Sequence, residues 1–259
     1  MTQPVIRDIS SKIRSSHRAQ SRRRWLRIGI ITLIVLLIAG GVWAVWFSNW
    51  FVVRSIDVTG NENVSTEEVV AAAAVEMGAH LVSVDTNAIR ERVMVLPVVA
   101  DARVTRQLSG VVLVAVTERS PIYALPASGG YRLVDAGGVD YLFTDVLPPG
   151  LPVVVINKPP VTLVDGKPDE QSQRRLSQYA RLLSDSAIIV QAMPVSVRDQ
   201  MVGMRADTPD SFTIDLANGA QILWGSAEQS TLKAEVIDGL LKVAASYYDI
   251  SSPSHPATR

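Results

Sequence analysis

The first 53 residues constrain this chain most, because a basic tail is followed by a long stretch without charge. Residues 28–53 contain no Asp, Glu, Lys or Arg. The residues from Ile28 to Phe47 are numerous enough, at about 1.5 Å of rise each, to cross a hydrocarbon core of about 30 Å. Their Ile, Leu, Val and Phe side chains favour insertion by roughly 4–7 kcal/mol. The sequence therefore predicts a transmembrane helix over residues 28–50, in contact with the membrane lipid bilayer.

The charges around this stretch predict its orientation. The tail, residues 1–27, holds eight Lys and Arg residues, whereas only Arg54 closely follows the stretch. This bias predicts a cytoplasmic N-terminus and an extracytoplasmic remainder. Val42-Trp43-Ala44 resembles a signal-peptide cleavage site, but signal peptides usually have a shorter apolar region. Attraction to anionic lipid explains the basic tail without a nucleic-acid partner.

The remaining residues have a different charge balance from the whole chain. The chain has 25 basic and 25 acidic residues, and one acidic residue, Asp8, precedes Arg54. The part from residue 54 onward therefore holds 17 basic and 24 acidic residues. Such an acidic surface is a poor binder of nucleic acid, so no nucleic-acid partner is expected. The chain has no cysteine, which excludes disulfides, thiol nucleophiles and thiolate metal sites.

The first external segment begins with a strand and a helix. Residues 52–58 alternate and are rich in β-branched side chains, and Gly60-Asn61 is typical of a turn after such a strand. Ser65 and Glu68 have the spacing of a capping box, which predicts that a helix begins there. Gly78 is expected to end that helix.

Three further elements complete this segment. A second helix is predicted from about Asp85, with Ile89, Val93 and Leu96 on one face and Pro97 at its end. Two β-rich runs follow, Ala100–Arg106 and Val111–Glu118. The second run is apolar on both faces, so we expect it to be a central strand. The predicted order is β-α-α-β-β.

The later part of the chain reads as a mainly antiparallel β region. Asp135-Ala136-Gly137-Gly138 and Ala217-Asn218-Gly219-Ala220 are predicted hairpin turns, and the second carries the Asn-Gly pair typical of such turns. Leu151–Ile156 is a predicted apolar strand, and residues 246–251 are a predicted short strand near the C-terminus.

Two helices are predicted within this β region. One follows Asp169, and the other spans about Ala227–Ala244. Their predicted core faces follow helical spacing: Leu176, Tyr179, Ala180 and Leu183 in the first, and Leu232, Val236, Leu240 and Val243 in the second.

The sequence offers little for catalysis. The three histidines, His17, His80 and His255, are far apart and have no metal-ligand spacing. Three aspartates at intervals of five, Asp135, Asp140 and Asp145, lack the dense oxygen ligands of a calcium loop and are expected in turns and at strand ends. Common phosphate-binding, hydrolase and metalloprotease motifs are absent. We therefore predict no catalytic residues, no cofactor and no metal, and a protein that is not an enzyme.

Several motifs, taken in order, resemble one protein family. Phe51–Asn61 resembles the start of a POTRA domain that follows a membrane anchor, and Leu96–Arg106 and Val112–Pro121 resemble its last two strands. Tyr131–Val139 resembles the hairpin that opens the next domain of the FtsQ/DivIB cell-division family, and the C-terminal residues resemble those of actinobacterial members. Ser109-Gly110 stands where this family often has a proline before the last POTRA strand.

The resemblance implies an α+β fold with five parts. These are a cytoplasmic tail (1–27), a transmembrane helix (28–50), a POTRA domain (51–121), a β-domain (122–251) and a disordered C-terminus (252–259). It also implies a single-pass protein of the cell membrane, enriched at the division septum. Its expected role is that of a non-enzymatic scaffold that links early and late division proteins.

The resemblance further implies where partners bind. Family members bind the bitopic proteins FtsB and FtsL through the β-domain, and other division proteins are expected at the POTRA domain. Edge strands can pair with an extended partner segment, and Tyr247 and Tyr248 should point to opposite faces. The expected contact residues are Tyr247, Tyr248, Asp249, Ile250 and Ser251, with Lys242 as a charged neighbour. The alternative is that both tyrosines only close the core of the β-domain. Which strand forms the edge stays open, because many family members carry one more strand there.

A second class of function stays open at this point. A membrane-anchored extracytoplasmic enzyme or a cell-wall sensor, with a site that motifs do not reveal, has the same overall organisation. Depletion of the protein distinguishes the two classes, because loss of a division scaffold produces filaments without septa.

Overall fold

The computed structural model describes Trp25 and residues 28–41, 51–164 and 166–259. Residues 28–41 form a helix, α1, whose side chains are exposed. No helix among the described residues is both long and apolar enough to cross a membrane. The rest of the predicted transmembrane helix, residues 42–50, and most of the basic tail lie outside the described residues.

The remaining elements follow in an α+β order. The helices are α2 (Thr66–Ala73), α3 (Thr86–Val93), α4 (Glu170–Ala192), α5 (Val195–Arg198) and α6 (Ser230–Leu240). The strands are β1 (Ser55–Thr59), β2 (Val99–Gln107), β3 (Val111–Glu118), β4 (Pro121–Ala127), β5 (Gly130–Asp135), β6 (Asp140–Thr144), β7 (Val154–Val155), β8 (Leu163–Val164), β9 (Lys167–Pro168), β10 (Met201–Thr208), β11 (Ser211–Leu216), β12 (Gln221–Gly225), β13 (Tyr247–Asp249) and β14 (Ala257–Thr258).

Backbone contacts divide the chain into two compact units. The first comprises the described residues up to Thr59 together with Val70–Arg92 and Arg103–Ala115. The second comprises Gly60–Val69, Val93–Ala102 and Val116–Arg259.

The predicted β-α-α-β-β order is confirmed, with β3 as the central strand. Its sheet has the order β1-β3-β2. β1 runs parallel to β3, with Ser55 opposite Val111 and Thr59 opposite Ala115. Val112, Val114 and Val116 are buried on one face of β3. Val111, Leu113 and Ala115 on the other face are half-buried, so both faces of the strand are at least partly covered and carry apolar side chains.

The capping box at the start of α2 is confirmed. The Ser65 hydroxyl accepts the Glu68 N–H, and the Glu68 carboxylate accepts the Ser65 N–H at 3.1 Å. The expected ends of the two helices are wrong. α2 ends at Ala73, before Gly78, because Ala74 takes a left-handed φ of 46°. α3 ends at Val93, short of Leu96 and Pro97.

The largest sheet lies in the second unit and has the order β14-β13-β12-β11-β10-β7. β10, β11 and β12 are antiparallel, and the predicted turn at Asn218-Gly219 joins the last two. Gly219 has a φ of 85°, which favours glycine at that turn. β7 pairs in parallel with β10, and β13 pairs in parallel with β12. The predicted strand Leu151–Ile156 is much shorter than expected, because only Val154–Val155 pairs as β7 with β10.

A separate antiparallel sheet in the second unit has the order β4-β5-β6. The predicted hairpin at residues 135–138 is confirmed between β5 and β6. Asp135 organises this turn, since its carboxylate accepts the N–H groups of Gly137 and Val139 at 2.9 and 2.8 Å. Asp135 also binds Arg119, so the turn is tied to the residue after β3.

Helix α4 packs into the main core of the second unit. Asp169 caps it, as its side chain accepts the Ser172 N–H at 2.6 Å. Leu183 is buried, and Leu176 and Tyr179 are half-buried, as predicted. Ala180 is exposed, which contradicts the predicted face. The buried side of the helix is instead continued by Ala187, Ile189 and Val190.

The C-terminal residues differ from the predicted disordered end. Ala257–Thr258 forms β14 and pairs antiparallel with β13, with Tyr248 opposite Thr258 and Asp249 opposite Ala257. Residues 252–256 lead back to this strand through turns and bends.

Candidate functional site

The candidate site is the C-terminal edge of the large sheet, formed by β12, β13 and β14. β13 runs parallel to β12 over three residue pairs, from Gln221 opposite Tyr247 to Leu223 opposite Asp249. On its other side, Tyr247 and Arg259 exchange both backbone hydrogen bonds at 2.9 Å. The Ser246 N–H also donates to the Arg259 carbonyl. β14 has two residues, both exposed, so the outer side of β13 pairs with only a short strand that solvent reaches.

The two tyrosines of β13 lie on opposite faces, as predicted. Tyr248 is 2% exposed and belongs to the core. Its hydroxyl donates to the Val243 carbonyl at 2.8 Å and accepts the Ala245 N–H at 3.1 Å, which fixes the segment after α6. Tyr247 is half-buried, and the Arg259 guanidinium lies 5.5 Å from its ring centroid. Tyr247 is therefore the more exposed of the two tyrosines.

The remaining predicted contact residues divide between core and surface. Ile250 is fully buried, and its N–H donates to the Leu223 carbonyl at 3.0 Å, so its backbone donor is already used within the sheet. Ser251 is exposed and bonds the Asp249 carboxylate through both its N–H and its hydroxyl. Lys242 is exposed after α6.

The predicted core face of α6 is partly wrong. Leu232 is 45% exposed and Val243 is 56% exposed, while Val236 and Leu240 are half-buried. α6 also ends at Leu240, so Val243 lies beyond the helix. Val236 and Leu240 pack against the core, whereas Leu232 and Val243 are exposed apolar side chains; we call these four residues the α6 stripe. Val243 lies close to β13, because its carbonyl accepts the Tyr248 hydroxyl.

Lys233 takes the buried position that sequence patterns gave to apolar residues. It is 1% exposed, and its ammonium donates to the Ser226 carbonyl at 2.8 Å. Burial lowers the pKa of Lys233 below its ordinary value, and Glu228 opposes that shift. The side chain ties the loop after β12 to α6, which is a structural role. Helical periodicity alone does not reveal it, because Lys is rarely buried.

Glu118, at the end of β3, is another residue that the sequence did not single out. Its carboxylate accepts the N–H groups of Glu62 at 2.7 Å and Val64 at 3.0 Å, and the side-chain amide of Asn63 at 2.7 Å. Desolvation raises the pKa of Glu118, but these hydrogen bonds lower it more. Glu118 therefore fixes the loop that leads into α2.

The residues considered for catalysis take part in contacts that hold turns and strands, or lie exposed at the surface. Asp135 holds a turn, and both oxygens of Asp140 accept from Arg132 Nε, at 2.7 and 2.6 Å. His80 forms an isolated bridge with Val52, and His255 is exposed near the C-terminus. Within the described part of the chain, no three His, Cys, Asp or Glu residues are grouped to hold a metal ion. His17 lies outside that part.

Comparison with known proteins agrees with this organisation. The FtsQ-type POTRA domain family matches residues 51–119. The cell division protein FtsQ of Streptomyces venezuelae is 34% identical over 235 residues, which cover 88% of this chain and 82% of that protein. FtsQ of Streptomyces bingchenggensis is 29% identical, with coverage of 95% and 89%.

A further relative comes from a second genus. FtsQ of Mycobacterium tuberculosis H37Rv is 30% identical over 237 residues, covering 91% of this chain and 70% of that protein. The similarity spans the POTRA region and most of the β-rich region, and it supports a role in cell division. The chain therefore belongs to the family of the cell division protein FtsQ.

Proposed function

We propose that this protein is a single-pass membrane scaffold of the division machinery, without enzymatic activity. Its tail lies in the cytoplasm, and its POTRA and β-rich regions lie outside, where they link early and late division proteins at the septum. The basic tail and the uncharged stretch that follows it support this topology. The roles found for Asp135, Asp140 and Glu118 support a structural protein, because each carboxylate is engaged in holding a turn, a strand or a loop.

The proposed partner site is strand β13, which lies next to the outermost strand β14, together with the α6 stripe. The observation that carries this proposal is that the outer neighbour of β13 is a strand of only two residues. A longer extended segment of a bitopic partner, resembling FtsB, takes the place of β14 and forms more backbone hydrogen bonds with β13. A partner resembling FtsL joins the same complex, and other division proteins dock on the POTRA region.

The six predicted contact residues have different roles in this proposal. Tyr247 and Lys242 contact the partner through their side chains, and Asp249 and Ser251 shape the end of the edge. Tyr248 and Ile250 act from the core side, because both are buried. The exposed members of the α6 stripe, Leu232 and Val243, supply the apolar contact beside the strand.

Partner recovery tests this site with a matched pair of variants. Val243→Asp places a carboxylate on the α6 stripe, whereas Val202→Asp places one on β10 at a similarly exposed valine, 66% against 56%. Tagged full-length chains are purified from membranes together with the FtsB-like and FtsL-like proteins of the same organism. Val243→Asp should lose most of the partner while Val202→Asp keeps it. Equal recovery by the two variants would place the contact elsewhere.

A reporter fused after Arg259 tests the topology separately. Activity only in the extracytoplasmic compartment is the expected result. Moving the arginines of Arg22-Arg23-Arg24 to the outer side of the uncharged stretch should weaken or invert insertion. Cytoplasmic activity of the original fusion would contradict the proposed arrangement.

A further inference from the structure

An apolar patch lies in the first unit, around Phe51. Phe51, Leu81, Val82 and Leu108 line one shallow pocket, which we call the Phe51 patch. Leu108 is 80% exposed and Val82 is 46% exposed. Large apolar side chains grouped at this exposure mark an interaction surface.

The segments that form this patch are fixed to one another. The Leu81 N–H donates to the Phe51 carbonyl at 2.8 Å, and Arg106 donates to the carbonyls of Leu81 and Val82 at 3.2 Å. Gly110, in the turn that carries Leu108, has a φ of 93°, and the Arg54 N–H donates to its carbonyl at 2.7 Å. Exposed Leu108 therefore lies on a turn that hydrogen bonds hold in place.

Two cations accompany the patch. Arg106 and Arg54 are both exposed, and the Arg54 stem lies beside Gly110. Arginine side chains can lay their methylene groups on an apolar surface and direct the guanidinium to a phosphate. This combination of exposed apolar side chains and neighbouring cations suits the headgroup region of a lipid bilayer.

The length of chain before Phe51 limits what can cover the patch. The predicted transmembrane helix ends at residue 50, and its part that crosses the hydrocarbon core ends at Phe47, four peptide units before Phe51. Fully extended, they span at most about 14 Å. The polar zone on each side of the hydrocarbon core is roughly 5–8 Å thick. Phe51 thus stays within or just above the headgroups if the stretch crosses the membrane.

We propose that the Phe51 patch docks on the outer surface of the membrane, with Leu108 and Val82 in the interfacial zone and Arg54 and Arg106 at lipid phosphates. This inference rests on the membrane anchor of the proposed function. Docking restricts how the first unit is held at the bilayer, beyond what a single anchoring helix provides.

Site-specific labelling tests the docking, because the natural chain has no cysteine that would compete for the label. Full-length Leu108→Cys, Val95→Cys and Ile34→Cys variants receive an environment-sensitive fluorophore. Val95 is the matched control, since it is 79% exposed but outside the patch. Each protein is reconstituted in vesicles of phosphatidylcholine and phosphatidylglycerol that carry nitroxide lipids at shallow or deep positions.

Strong shallow quenching at position 108, deep quenching at 34 and little quenching at 95 are the expected results. Val82→Asp should remove most of the quenching at 108, and Arg54→Gln with Arg106→Gln should reduce it. Quenching at 34 with equal signals at 108 and 95 would overturn the docking and leave the anchor intact. Absence of quenching at 34 would overturn the anchor, and the docking inference with it.

Discussion

Strands β3 and β13 are both paired on two sides, yet they are held very differently. β3 has eight residues and lies between β1 and β2, with three valines buried on one face. β13 has three residues, and its outer neighbour β14 has two exposed residues. A strand in the first situation is fixed by its surroundings. The proposed function requires that a strand in the second situation exchanges its outer neighbour for a longer one.

The largest expected effect is on β3. Val114→Asp places a carboxylate without a partner at a position that is 0% exposed, which costs several kcal/mol. We expect loss of the cooperative melting transition of the POTRA region in the purified full-length protein. Val95→Asp, at an exposed position, is the control and should melt like the unmodified chain. An unchanged melting curve for Val114→Asp would mean that β3 is not a core strand.

Two proline substitutions compare the inner and outer sides of the C-terminal edge. Ile250→Pro removes an N–H that bonds Leu223 and strains a buried position, so it should cost at least about 3 kcal/mol. The Thr258 N–H points away from β13, because the Arg259 N–H points toward it. Thr258→Pro should therefore leave the melting temperature nearly unchanged. A similar decrease in melting temperature in both variants would show that β14 contributes as much to stability as the pairing of β13 with β12.

Acid should reveal the contribution of Glu118. Its pKa is lowered in the folded state, so its stabilisation is complete above the ordinary value of 4.5 and is lost as the pH falls through the folded pKa. Glu118→Gln should lower stability at neutral pH by about 1 kcal/mol after solvent screening, and flatten the acid dependence. Urea unfolding between pH 3 and 7, with Glu62→Gln as a control, measures both effects. An acid dependence that persists in Glu118→Gln would assign it to other carboxyl groups.

Alkaline pH should reveal the smallest effect, at Lys233. Its folded pKa is lowered, so the unfolded chain binds more protons between that pKa and about 10.5, and stability rises with pH across this window. Lys233→Met should change stability near neutral pH by about 1 kcal/mol or less and remove part of that rise. Exposed Lys242→Met is the matched control. Identical alkaline profiles for all three proteins would contradict a titrating buried ammonium.

Local patterns predicted most of the POTRA region because its helices and strands are determined largely by residues close together in the sequence. The Ser65 and Glu68 capping box and the apolar run of β3 depend on short spacings that a sequence displays directly. The helix ends were less predictable, since Ala74 takes a left-handed conformation without being glycine. The Glu118 contacts join residues 54 to 56 positions apart, which no local pattern reveals.

The C-terminal edge was predicted less completely for the same reason. Alternation placed Tyr247 and Tyr248 on opposite faces, but pairing with Ala257–Thr258 depends on a chain reversal through Pro253 and Pro256. Helical spacing selected Leu232 and Val243 as core residues, although the buried side of α6 contains Lys233 and Ile237. Amphipathic spacing identifies a stripe, but it does not say whether the domain or a partner covers that stripe.

Removal of β14 tests the central claim most directly. A full-length chain and one ending at Pro256 are each purified from membranes with the FtsB-like and FtsL-like proteins, and the recovered partner per scaffold is measured. If the partner takes the place of β14, the shortened chain should recover more partner, because β13 is then already uncovered. Equal or lower recovery by a shortened chain with an unchanged melting temperature would contradict exchange of the edge strand.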